Sequence, residues 1–279
     1  METLRTALGG ESATGRSSRK VSAILLSIFF PAASVLAATL WFVPVLFGDV
    51  ARAAQPKFTT DFRLEDCTWD HQGRNPYFSL NHGDSLTLAG EDKGELVVVE
   101  ITVLNETRDI TFETPKGNQL TVTTRKVRER EWIDNALVEE STNYFARCVQ
   151  TNDVFYFGED VEPASIGGSW LAGEGGALPG LIMPGRFLLG SRYFQEIAPD
   201  VALDRAEHVA MGVTITVPTT PAQTFEDCVE VFETTPLEPS SKSTKRYCPG
   251  IGLVFDDGVQ LVDFTVAGND SSDNQDDKA

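Results

Sequence analysis

The chain has 279 residues, with 41 Asp and Glu against 23 Lys and Arg, a formal charge of −18. Binding nucleic acid by counterion release needs basic faces, so this balance argues against nucleic acid as a partner. Hydrophobic residues make up 41% of the chain, enough for a sizeable core and too many for wholesale disorder.

The first feature along the chain is a leader. Arg5, Arg16, Arg19 and Lys20 precede Val21 to Phe47, 27 residues without a charged side chain. Basic residues ahead of an apolar run mark an export signal, and Ala51-Arg52-Ala53 has the small-x-small form of a signal-peptidase site. The run is also long enough to span a bilayer, although Pro31 and Pro44 weaken a stable span. Residues 1–53 therefore read as a signal peptide or an N-terminal membrane anchor, and both readings put the remainder outside the cytoplasm, periplasmic, secreted or anchored. Lipidation at Cys67 is disfavoured because that cysteine lies far beyond the run. Removing residues 1–53 takes away five basic and three acidic residues and leaves 18 against 38, a charge of −20.

Residues 62–266 read as a single all-β domain. Val97, Val99, Ile101 and Val103 alternate with Val98, Glu100 and Thr102, as do Met211, Val213, Ile215 and Val217 with Gly212, Thr214 and Thr216: the period of a half-buried strand. Noisier strand segments lie at 111–113, 120–128, 137–149, 154–157, 191–197 and 225–233. The clearest hairpin joins 251–256 to 259–266 through Asp257-Gly258, a dipeptide that readily takes positive φ. No segment sustains a 3.6-residue apolar period, and only Ala202 to Ala210 reads as a short helix. The expected architecture is antiparallel, a large curled sheet or open barrel, with a sandwich as the alternative. Residues 267–279 carry no aromatic or branched aliphatic side chain and read as a disordered acidic tail.

Between these strands, Gly167 to Gly190 mixes glycine, proline and apolar residues with little charge. Glycine loses extra entropy on ordering and proline lacks a donor, so the stretch reads as a long shaped loop of the kind used for recognition. Trp170, Glu174, Met183, Tyr193 and Glu196, in or beside it, are the candidate ligand-binding residues. The glycines around Glu174 permit close backbone approach, and the density of aromatics suits an apolar pocket.

Cys67, Cys148, Cys228 and Cys248 make an even number in an oxidising compartment, which argues for two disulfides. Three connectivities are open. Cys228 with Cys248 and Cys67 with Cys148 is preferred, because Cys228 and Cys248 sit on successive strand-like segments. No CxxC or nearby CxxH spacing supports zinc.

Catalytic signals are weak. Ser169 lacks the second glycine of a nucleophile elbow, and His71, His82 and His208 form no recognisable triad pattern. Asp70, His71, His82 and Asp84 have the side chains of a metal site without its spacing, and Glu159, Asp160 and Glu162 lack the order of a calcium loop. Neither a metal nor a cofactor is assigned.

Several segments together resemble a family of exported bacterial β-rich proteins with no assigned function. They are Asn75-Pro76-Tyr77-Phe78, Arg128 to Trp132, Tyr156 to Glu159, Gly168-Ser169-Trp170 with Ala172-Gly173, Ala177 to Pro184, Tyr193 to Glu196 and Tyr247 to Val254. Cys148 departs from that pattern, which implies that the bridging is particular to this branch. The resemblance supplies no reaction, cofactor or partner.

The expected function is a non-enzymatic, extracytoplasmic binding or envelope-associated protein with its recognition surface at residues 167–190. Its partner would be a small apolar ligand or an envelope protein. An extracytoplasmic hydrolase using carboxylates or a metal is the alternative.

Overall fold

The computed structural model describes residues 57–92 and 94–267; the leader, and residues 268–279 of the acidic tail, lie outside the described residues. After a 3-10 turn at Leu64–Asp66 come three short strands, β1 (Trp69–Asp70), β2 (Arg74–Asn75) and β3 (Phe78–Ser79). The long strands follow: β4 (Ser85–Asp92), β5 (Glu95–Glu113), β6 (Gln119–Ile133), β7 (Ala136–Cys148) and β8 (Val154–Glu162). Then come β9 (Trp170–Leu171), β10 (Leu178–Met183), β11 (Arg192–Phe194), β12 (Glu196–Ile197), β13 (Arg205–Val217) and β14 (Gln223–Thr234). β15 (Lys242–Cys248), β16 (Gly252–Asp256) and β17 (Val259–Thr265) complete the series.

Antiparallel pairing links β11, β13, β14, β15, β16, β17, β4, β5, β6, β7, β8, β10 and β12 into one curled, nearly closed barrel-like sheet. β11 and β12 stand at its two ends, yet only Gln195 separates them in sequence. Residues 192–197 therefore act as a seam, with Tyr193 opposite Ala206 on β13 and Glu196 opposite Pro179 on β10. Gly180 makes the approach possible, since a Cβ there would fall on the Gln195 carbonyl. β4 and β17 are the one neighbouring pair on this path that joins distant parts of the chain.

The expected all-β class and strands hold, with two corrections. Residues 167–190 are not one long loop: β9 and β10 both pair with β8, so residues 170–171 and 178–183 are barrel wall and only the stretches around them are turns. The helix expected at Ala202 to Ala210 is a bridge followed by the start of β13. The hairpin through Asp257-Gly258 forms, but only Asp257, at φ +48°, takes the positive φ expected of both residues. A second two-residue turn, Asp134-Asn135, has both φ values positive, at +49° and +70°.

Both preferred disulfides are present, Cys67–Cys148 and Cys228–Cys248, which fits an oxidising, extracytoplasmic compartment. The first pins the N-terminal segment over β8. There Phe62 and Trp69 pack edge-on against Phe155, with ring centroids 5.6 and 5.4 Å apart, and Trp69 also meets Phe157. Tyr156 stacks on Phe145 at 4.6 Å. β8 is thus covered on both faces, which accounts for its unbroken VFYF run.

Charged pairs face outward on β5 and β6 and on β14 and β15. Glu100 lies opposite Arg130 and Glu230 opposite Arg246, each pair in contact at 2.6 and 2.7 Å. A lipid-facing barrel carries an apolar band there instead. Among the described residues no helix is long and apolar enough to cross a membrane.

Candidate functional site

The barrel interior is not simply apolar. On β6, Val127, Glu129 and Glu131 share the buried parity, while Arg128, Arg130 and Trp132 are less buried. Register places Glu131 opposite Glu139 on β7 and Glu129 opposite Ser141. Next along β7, Asn143 faces Glu159 on β8. Glu196 enters from the seam, Glu233 from β14, Lys245 from β15 and Asp256 from β16. All of these side chains are buried, Glu159 completely.

One part of this interior is well compensated. Lys245 Nζ lies 2.8 Å from Glu233 and 3.7 Å from Asp256, and Gln195 Nε2 donates to Glu233 Oε1 at 2.7 Å. Burial would lower the Lys245 pKa, but Glu233 and Asp256 overcome it and hold the ammonium well above its ordinary range.

The other part is not. Glu129 Oε2, Glu131 Oε1, both oxygens of Glu159 and Gln195 Oε1 are buried acceptors without a hydrogen-bond partner. The Tyr156 hydroxyl beside Glu159 donates its proton to Asn143 Oδ1. Trp170, opposite Glu159 across β8 and β9, has an unpartnered indole N–H. Such groups cost free energy unless a proton, water or ligand satisfies them.

Burial raises these carboxyls, and their neighbours add to it. Glu131 rises to about 8 through burial and then Glu139, Asp256 and Asp92. Glu139 rises to about 7 by burial, and Asp256 to about 7 by burial against the opposing pull of Lys245. Glu129, Glu159 and Glu196 lie well above the ordinary carboxylate range, again through burial first.

Of the residues singled out in the sequence, Glu196 joins this acidic interior and Trp170 borders it, stacked edge-on against Tyr156 at 5.3 Å. Tyr193 is buried nearby, but its hydroxyl is 2.9 Å from His208 Nε2. Met183 is packed in the core opposite Val154. Glu174 sits in an exposed turn whose backbone bonds run between Leu171 and Ala177, away from the others.

The weighed metal sets do not assemble. Asp70 binds Arg147, while Asp84 holds Arg74, Ser79 and the Ala267 N–H in a latch between the N-terminal hairpin and the end of β17. Glu159 is inside the barrel, whereas Asp160 pairs outside with Arg108. Among the described residues no group of three or more His, Cys, Asp or Glu converges to hold a metal ion. A small apolar hollow of about 60 Å³ opens instead between Phe78, Ile101, Val103, Tyr247 and Ile251, under the β2–β3 hairpin and away from residues 167–190.

Sequence reasoning missed Glu129, Glu131, Glu139, Glu159, Glu233, Lys245 and Asp256 as one constellation. The available signal was parity: Glu129 and Glu131 continue the buried row of Val127. Set against known proteins, the chain matches no family model, no curated protein and no solved structure.

Proposed function

We infer that the protein is a non-enzymatic, extracytoplasmic binding protein whose barrel interior takes a small organic cation with several N–H donors. The observation that carries this reading is the set of five buried acceptor atoms left without partners on Glu129, Glu131, Glu159 and Gln195. They are spread around the wall rather than gathered at one point, so a di- or polyamine suits them better than a single metal ion. Each N–H donated would offset a desolvation cost already present in the empty protein.

The tight-turn end is the entrance this reading requires. Glu131, Glu139, Glu233 and Asp256 stand within three residues of strand ends there, and Glu139 and Asp256 keep 7% of their surface exposed. The test is thermal unfolding at pH 8 with spermidine, putrescine, calcium or sodium. Spermidine should raise the midpoint at concentrations where sodium does not, and Glu129→Gln with Glu159→Gln should remove the shift. A midpoint indifferent to every amine would overturn the reading.

One observation favours acid–base catalysis as the second reading: Glu131 and Glu139 are direct cross-strand neighbours held near 8 and 7. Hydrolysis of a glycoside or ester panel that disappears in Glu131→Gln and Glu139→Gln would establish it.

A further inference from the structure

Four large apolar side chains are exposed around one place on the barrel. Leu188 is 69% exposed, Leu189 51%, Val209 43% and Met211 52%. They converge because the Gly190 N–H bonds the His208 carbonyl at 2.9 Å and the His208 N–H bonds the Ser191 carbonyl at 3.0 Å, setting the 188–191 turn beside β13. Phe187 stacks on the buried His208 ring with centroids 3.7 Å apart, so the turn is anchored from beneath. Scattered exposed leucines need no explanation, but a contiguous apolar group on a strongly acidic body does.

The direction of the N-terminal segment gives one. Thr59 forms a parallel bridge with Tyr193, its N–H bonding Arg192 O and its carbonyl accepting from the Phe194 N–H, both at 3.0 Å. In a parallel pair the two chains run the same way, so the backbone preceding Thr59 points back past Arg192, while the Phe58 ring stays against Phe194 and Arg205. The described chain therefore begins at Lys57 near the β11 edge that carries the 188–191 turn, and nine residues, 48–56, separate it in sequence from the uncharged run Val21 to Phe47. Nine residues reach about 30 Å at most, which keeps this edge close to wherever that run resides.

We propose that the edge formed by Leu188, Leu189, Val209 and Met211 rests on an anionic lipid surface, with the run Val21–Phe47 retained in the bilayer. Charge selects the orientation. The exposed Arg186 stands two residues from Leu188, and the nearby acids Glu207 and Glu230 are each held by an arginine, Arg192 and Arg246, whereas the body as a whole carries an excess of acid that an anionic leaflet repels from its other faces. The edge then adds a second contact to the anchor and fixes which way the barrel faces.

The full chain, reconstituted in phosphatidylethanolamine–phosphatidylglycerol vesicles with brominated acyl chains, tests this through Leu188→Trp. Leu137, 53% exposed on β7, lies across the sheet and provides the control Leu137→Trp. After subtraction of the parent's emission, the tryptophan at 188 should be blue-shifted and quenched by the brominated lipid, and the one at 137 should be neither. Equal quenching at the two positions, or none at 188, overturns the proposal. So does release of the body from the membrane fraction by leader cleavage, or burial of the edge in a dimer by sedimentation with quenching absent. The outcome is independent of amine binding, because neither substitution touches the barrel interior.

Discussion

Lys245 shows how much one side chain can hold. It is the cation facing Glu233 and Asp256 with all three side chains buried, and truncating one partner of a buried pair leaves the other charge uncompensated. Lys245→Met should cost about 3–5 kcal/mol at pH 8 by urea denaturation. The loss should shrink at pH 5, where Asp256 takes a proton, and an equal loss at both values would refute this account. Glu159 is the converse case. Both its oxygens are buried without partners, so Glu159→Gln, which keeps the shape and removes the ionisable group, should stabilise the empty protein at pH 8 while weakening spermidine binding. Destabilisation in an amine-free buffer would mean that Glu159 is satisfied in solution by something bound there.

At the scale of elements, the two bridges should contribute unequally. Cys67–Cys148 closes a separation of 81 residues and Cys228–Cys248 one of 20. Chain-entropy reasoning gives about 4–5 kcal/mol for the longer loop and about 3 for the shorter. Paired Cys→Ser substitutions compared by denaturant midpoint test this ordering, and the first pair should also bare Phe155 and Phe157 to a hydrophobic dye. The elements also show where the sequence could be read and where it could not. Strands with clean alternation, such as Val97 to Val103, were legible because one face is polar. The run Arg128-Glu129-Arg130-Glu131 was not, because charge occupies both parities and a period of two cannot say which one points inward. Gly180 misled in another way: the glycine that suggested a loop is there because the seam backbone passes too close for a side chain. Tyr193 and Glu196 were found for their place beside that stretch, whereas the acids from β6, β7, β8, β14 and β16 meet only once the sheet curls.

For the molecule as a whole, the interior sets the response to pH. In the fold Glu131, Glu139 and Asp256 keep protons up to about 8, 7 and 7, against ordinary values of 4.5, 4.5 and 3.8. Their folded pKa values are raised, so their contribution is fully present below about 4 and is lost as pH rises through 7 to 8. His208 works in the opposite sense: burial lowers it from 6.5 to about 4, so its contribution is intact above 6.5 and lost as pH falls toward 4. Three carboxyls outweigh one imidazole. The melting midpoint should therefore climb as pH is lowered from 8 to about 5.5, measured by calorimetry in a buffer free of amines. Glu131→Gln should flatten the slope, and a midpoint that instead rises with pH would contradict the buried, proton-holding interior.

The meeting of β4 with β17 has a consequence for how the chain can be rewired. Every other step around the main path of the sheet joins segments close in sequence, whereas this step ties the two extremities of the barrel, with Asp84 accepting from the Ala267 N–H. A linker long enough to cross from Ala267, beside Gly83, to Lys57, near the β11 edge, with new termini cut into the exposed turn at 238–241, should give a circular permutant with the same ring, recognisable by an unchanged far-ultraviolet spectrum and both bridges intact. In that permutant the slow encounter of remote ends becomes a local one, so refolding should accelerate while the pH profile stays the same.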